Sequence, residues 1–226
     1  MRLRHLALGS LLALSTTPVF AQDQFTRVKG TIQSFDGTTL TVHKLIGPAA
    51  VFSVPNTARI MYNKPASLGD IKPGDFVASG GMTEKDGRIH AKELRIFPAS
   101  MNGLGEGQYP MAQPKSSMTN ATVSAVSTNG TVSTAGGSGT LKLTFHGSGT
   151  GSGADCTGHA AASGKGCTGT TQIDIGKDVP VTAVFLGEPA LLKPGAAVSA
   201  FVVTGPDGKP AARYVTVEKD GIKPAM

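Results

Sequence analysis

The sequence predicts an all-β protein built of two small modules in tandem. The first observation is an internal duplication. Leu192-Lys193-Pro194-Gly195 repeats Ile71-Lys72-Pro73-Gly74 at an offset of 121 residues (192 − 71), and Asp207-Gly208-Lys209 repeats Asp86-Gly87-Arg88 at the same offset. Val215 and Val217 stand where Leu94 and Ile96 stand in the first copy. Near the starts of the copies Ala121-Thr122-Val123 echoes Gly30-Thr31-Ile32 at an offset of 91 (121 − 30), so 30 residues are inserted inside the second copy (121 − 91). The second observation is alternation of apolar and polar residues over short runs bounded by Gly, Pro, Asn and Asp. The third is composition. Gly reaches 30 of 226 residues and Trp is absent, and Gly and Thr mixed with Val, Ile and Leu favour strands and tight turns over helices.

Taken in order, Arg27 to Phe35 alternates, with Val28, Gly30 and Ile32 on one side and Lys29, Thr31 and Gln33 on the other, as a half-buried strand does. Asp36-Gly37 signals a hairpin, because Gly accepts positive φ. Leu40 to Lys44 returns with Leu40 and Val42 inward. Gly47-Pro48 breaks the chain, and Val51 to Val54 and Arg59 to Asn63 supply two more strands. Ser67-Leu68-Gly69-Asp70, a Ser cap with an acid three residues on, reads as one short helical turn. Pro73-Gly74 turns into a strand from Phe76 to Thr83, Asp86-Gly87 makes the last hairpin, and Ile89 to Phe97 closes the module. Short strands in this number predict a small closed or half-closed barrel, oligonucleotide/oligosaccharide-binding-like (OB-like) in preference to a sandwich. Closure removes the edges that would otherwise template aggregation.

Ala99 to Lys115 carries Gly103, Gly105, Gly107, Pro110 and Pro114 with no periodic apolar pattern, and reads as a linker. In the second copy, Thr122 to Ser127, Thr131 to Ser133 and the alternating Leu141, Leu143 and Phe145 are strands, and Gln172 to Ile175 answers Val51 to Val54. Gly147 to Gly169 is mostly Gly, Ser, Ala and Thr, and is expected to project from the second barrel as a surface loop. The expected organisation is a first β-barrel module at 22–99, a Gly/Pro linker at 100–117, a second module at 118–220 with its insertion at about 147–169, and a tail at 221–226. Gly37, Gly74, Gly87, Gly195 and Gly208 are expected in turns, several at positive φ. Phe35, Phe52, Phe76, Phe97, Phe145, Phe185 and Phe201 are expected in the cores.

The first residues read as an address. Arg2 and Arg4 form a basic start, Leu6 to Leu14 is a short apolar run, and Val19 and Ala21 stand where a signal peptidase reads. This predicts a secretory signal at 1–21 cleaved after Ala21. The run is too short to cross ~30 Å of hydrocarbon, which takes about 20 apolar residues. No later segment approaches that length, so no membrane span is expected after signal removal, and the expected location is the bacterial periplasm or the exterior. The formal charge of +6 falls to +4 (6 − 2) with the loss of Arg2 and Arg4. That suits contact with anionic envelope surfaces but is too weak and scattered for nucleic acid.

Chemistry-bearing residues are few. Cys156 and Cys167 are the only cysteines, and in an oxidising compartment two nearby thiols form a disulfide. A metal site is the alternative: Cys156, His159 and Cys167, with His146 just before the insertion, offer zinc or copper ligands. His43 and His90 fall at outward strand positions. No Gly-x-Ser-x-Gly elbow in a strand-to-helix setting and no pair of acids for glycoside hydrolysis can be nominated, so no catalytic residue and no cofactor are expected. Tyr62, Tyr109 and Tyr214 are the only tyrosines, a poor supply for stacking bases or sugars.

Phe97-Pro98-Ala99-Ser100-Met101, Gly105-Glu106-Gly107, Met118-Thr119-Asn120-Ala121, the run from Ala66-Ser67-Leu68 to Lys72-Pro73-Gly74-Asp75-Phe76-Val77, and the closing Gly221 to Met226 resemble a family of secreted bacterial proteins that carry a domain of unknown function. The resemblance covers nearly all of the mature chain outside the insertion. It implies a tandem β-barrel architecture and an envelope location, and no catalytic residue. Relatives in that family are sometimes labelled metal transporter permeases, but a permease needs several spanning helices, and the sequence holds no candidate for one. The expected function is therefore a non-enzymatic binding or structural role in the bacterial envelope, with partner unknown. The competing expectations are a periplasmic copper- or zinc-binding accessory factor using the insertion, and a glycan- or peptide-binding module.

Overall fold

The computed structural model describes residues 25–129, 137–151, 155–158 and 166–224. The expected signal at 1–21, the strand expected at Thr131 to Ser133, and His159 lie outside them. The protein is all-β, and the described strands are β1 (Thr26–Phe35), β2 (Thr39–Lys44), β3 (Ala50–Ser53), β4 (Arg59–Ala66), β5 (Phe76–Thr83), β6 (Ile89–Ile96), β7 (Gly107–Pro110), β8 (Ser116–Asn129), β9 (Ser138–Gly147), β10 (Cys167–Ile175), β11 (Val181–Leu186), β12 (Ala197–Thr204) and β13 (Pro210–Val217). Alternation drives them. In β2, Leu40 and Val42 are fully buried while His43 is exposed, and in β9, Leu141, Leu143 and Phe145 point inward while Lys142 points out.

β5, β6, β10, β9 and β8 close a five-stranded barrel, sealed by the parallel pairs Ile173↔Ile89 and Asp174↔His90. Further strands continue the sheet. β11 runs parallel to β6 and antiparallel to β4, and β4 runs parallel to β13. β12, β1, β2 and β3 follow, and β3 meets β13 again at Ala211↔Ser53, so these five strands also form a circuit.

The cores do not follow the contiguous spans 22–99 and 118–220. Leu68, Ile71, Val77 and Leu94 pack with Ala121, Val123, Leu141, Leu143, Phe145, Ile173 and Ile175. Val28, Ile32, Leu40, Val42 and Phe52 pack instead with Val198, Ala200, Val202, Val215 and Val217. Each core thus takes a three-strand meander from one stretch of sequence and a hairpin from the other. Repeat spacing locates equivalent strands, but it does not say which copy of a hairpin a meander pairs with.

The registers correspond at the offsets seen in the sequence. Thr31 lies opposite Ala197 in one half and Thr122 opposite Phe76 in the other. Val215↔Ile60 answers Leu94↔Val181. The bulges recur as well, between Ile32 and Ser34 and between Val123 and Ala125, and again at Gly80/Gly81 and Phe201/Val202. β4 and β11 form a ribbon between the two cores, in which Asn63 faces Val184.

The Lys-Pro-Gly turns explain part of this. Gly74 (φ 96) and Gly195 (φ 89) hold a backbone that L side chains rarely adopt. Their N–H groups thereby reach back to the bulged strands, Gly74 to Val123 O and Gly195 to Ile32 O. Gly37, Gly87 and Gly208 also have positive φ and sit in turns. At the expected helical turn, the Ser67 N–H and hydroxyl both donate to Asp70 Oδ2 at 2.8 Å.

Three expectations need correction. The segment read as a linker holds a 3-10 turn, Ala99–Met101, with Met101 buried, and then β7, which pairs along β8. Glycine spacing hid a strand of four residues. Gly147 ends β9 and Cys167 to Gly169 begin β10, so the connection spans 148–166 and not the full 147–169. Small residues pass as loop in sequence, yet Gly169 is needed where a Cβ would strike the Phe145 ring at 2.4 Å. Lastly, Phe185 and Phe201 are each 39% exposed and do not belong to a core.

Candidate binding surfaces

Cys156 and Cys167 form a disulfide. Cys167 pairs with Gly147 in the β9–β10 ladder, and both sulfurs lie against the closed barrel core. This overturns the Cys-based metal set, because a bridged sulfur has no thiolate to give a metal. His146 points outward, with Nδ1 3.2 Å from Glu106 Oε1. The structure therefore does not gather the predicted ligands into a metal centre among the described residues.

It does gather Asp86, His90 and Asp174, a set that sequence reading missed. Their ligand atoms lie within 4.8 Å of one another. His90 Nε2 is 2.9 Å from Asp86 Oδ2 and 3.9 Å from Asp174 Oδ2. Arg88 Nη2 and Thr140 Oγ1 both donate to Asp174 Oδ1. The Arg88 backbone N–H, and then the His90 ring, hold the Asp86 carboxyl below the usual carboxylate range. With a guanidinium already on Asp174, the arrangement works as a clasp between the β5–β6 hairpin and β10, at the seam that closes the barrel. The sequence signal was Asp86-x-Arg88-x-His90 in a hairpin, but nothing there pointed to Asp174.

A basic face lies on β1, β6 and β12. Arg27 and Lys29 occupy outward positions of β1. Arg27 Nε donates to Ser199 Oγ at 3.3 Å, and its guanidinium lies 5.5 Å from the centroid of the Phe201 ring. Desolvation, and then the neighbouring Arg95, pull the Arg27 pKa down, and desolvation and Arg27 do the same to Lys29. Glu93, held by Arg95 at 2.6 Å, is the acid that opposes these effects. Among the described residues this face sets Arg27, Lys29 and Arg95 beside one acid, Glu93, and an excess of positive charge attracts anions.

A second aromatic surface crosses the ribbon. Tyr62 and Phe185 stack at 5.7 Å, with Lys64 Nζ 4.7 Å from the Phe185 centroid and Lys219 Nζ 5.2 Å from that of Tyr62. A cavity of about 430 Å³ lies beside the β7–β8 turn, lined by Tyr109, Met111 and Ser117 among others, and one of about 470 Å³ lies by Arg59 and Arg213. Neither lining contains a carboxylate, a histidine or a thiol.

Comparison with protein-family models, with curated proteins and with solved structures finds no match.

Proposed function

We propose that the protein is an exported, non-enzymatic binding protein of the bacterial envelope, of the secreted family it resembles. Its architecture is read as two OB-like barrels, produced by internal duplication, that exchange their last hairpins. Matching registers and bulges support that reading. The disulfide supports an oxidising compartment. No helix among the described residues is long and apolar enough to cross a membrane. The ligand is an acidic partner, and the observation that carries this is the Arg27–Lys29–Arg95 face beside the exposed Phe201 ring.

The test is retention of the mature chain on immobilised polyglutamate and polylysine across a salt series. Retention on polyglutamate that weakens with salt is expected, because exposed charges are screened over about 10 Å at 0.1 M. Arg95→Glu should reduce it. Equal retention on both polymers, or none on polyglutamate, contradicts the proposal.

A further inference from the structure

The two halves differ at one strand edge. In β8, Ser117 to Asn120 pair with β5 on one side, from Gly81↔Ser117 to Ala78↔Asn120. On the other side they pair with β7, from Pro110↔Ser117 to Gly107↔Asn120. The equivalent residues of β1 are Thr26 to Lys29, at the offset of 91 (117 − 26). They pair with β12 in the corresponding register, from Thr26↔Val202 to Lys29↔Ser199. β2 reaches only as far as Lys44, opposite Gly30, after which Leu45 N–H donates to Lys29 O. Beyond that point no strand among the described residues pairs with this edge of β1.

Resting on the acidic-partner reading, we propose that this edge receives an extended acidic peptide, which adds antiparallel to β1 in the place that β7 fills on β8. Main-chain ladders of this kind give affinity, and alternate side chains give specificity. By the register of β7, the incoming residue in the Gln108 place faces Val28, which is 6% exposed, so that position takes an apolar side chain. Its neighbour in the Tyr109 place lies opposite Arg27 and takes Asp or Glu, while the Gly107 place, opposite Lys29, is held by Leu45 of the chain itself. Phe25, Leu45 and Ile46, at 51, 64 and 88% exposed, flank the edge and supply apolar contact. A second copy of the chain is a poor occupant, since β1 set antiparallel to β1 brings Arg27 and Lys29 against their own kind, and like charges directly opposite destabilise. Cations on an edge also guard against aggregation, so the absence of any bound peptide would assign them to that role alone.

The probe is a fluorescent short peptide of alternating Glu and Val, titrated into the mature chain and followed by anisotropy and amide hydrogen exchange. Binding with new protection at residues 25–29 is expected. The peptide N–H groups that face Arg27 belong to the Glu residues, so the same peptide N-methylated at Glu keeps its charge, loses those backbone donors and should bind about tenfold more weakly, the loss of a hydrogen bond or two. The double variant R27E/K29E should prefer a Lys-Val peptide. Equal affinity for the N-methylated peptide overturns strand addition while leaving an acid-binding face in place. No binding of either acidic peptide overturns both readings. If the double variant fails to fold, the comparison between peptides on the native protein still decides.

Discussion

The β8 half and the β1 half share a ladder and differ in what covers it. Over β8 lies β7, and the β9–β10 hairpin beside it is tied by the Cys156–Cys167 bridge. At the corresponding place β1 has no described strand beside it, and the β2–β3 hairpin ends in the exposed Leu45 and Ile46. Pairing registers and bulges agree between the halves, while among the described residues the cover over β8 and β1 differs. Backbone pairing is set by core packing and turn chemistry, which tolerate little change. The outside is free to vary, so function is sought where the halves disagree.

The strongest way to break this comparison is through mates in the two cores. Leu94 and Val215 hold corresponding places in their hairpins, but Leu94 packs with β8 to β10 and Val215 with β1 to β3. Leu94→Ala should cost about 2–5 kcal/mol and Val215→Ala about 2. Hydrogen exchange should show Leu94→Ala loosening β8 to β10 first, and Val215→Ala loosening β1 to β3 first. The opposite pattern would mean that each sequence copy keeps its own hairpin. A smaller effect sharpens the contrast between the hairpins. Replacing both Cys156 and Cys167 by Ser should lower stability by about 2–3 kcal/mol at most. The loss should fall on β9 and β10 and leave protection in β1 to β3 unchanged, as thermal unfolding and exchange can check.

Most strands were legible in the sequence, because their signals are local. Asp36-Gly37 and Asp86-Gly87 mark hairpins whatever they pack against, and β5 runs from Phe76 to Thr83 as read. The disulfide was legible because only two cysteines exist. The pairing of β5–β6 with β8 to β10, and of β12–β13 with β1 to β3, was not legible, since similar Lys-Pro-Gly-strand units fit either meander and only three-dimensional closure chooses between them. β7 was hidden by its flanking glycines and by a length of four residues. The basic face was hidden because Arg27, Arg95 and Phe201 come from three separate strands, and Phe201 reads as core in a one-dimensional pattern.

The most direct measurement of the hairpin exchange is a native nick. The β7–β8 turn at Met111–Lys115 is exposed, and a protease site placed there would separate β1 to β7 from β8 to β13. Exchanged hairpins predict that the two fragments co-elute as one folded species on size exclusion and separate only in denaturant. Two independent, folded fragments eluting apart without denaturant would contradict the exchange.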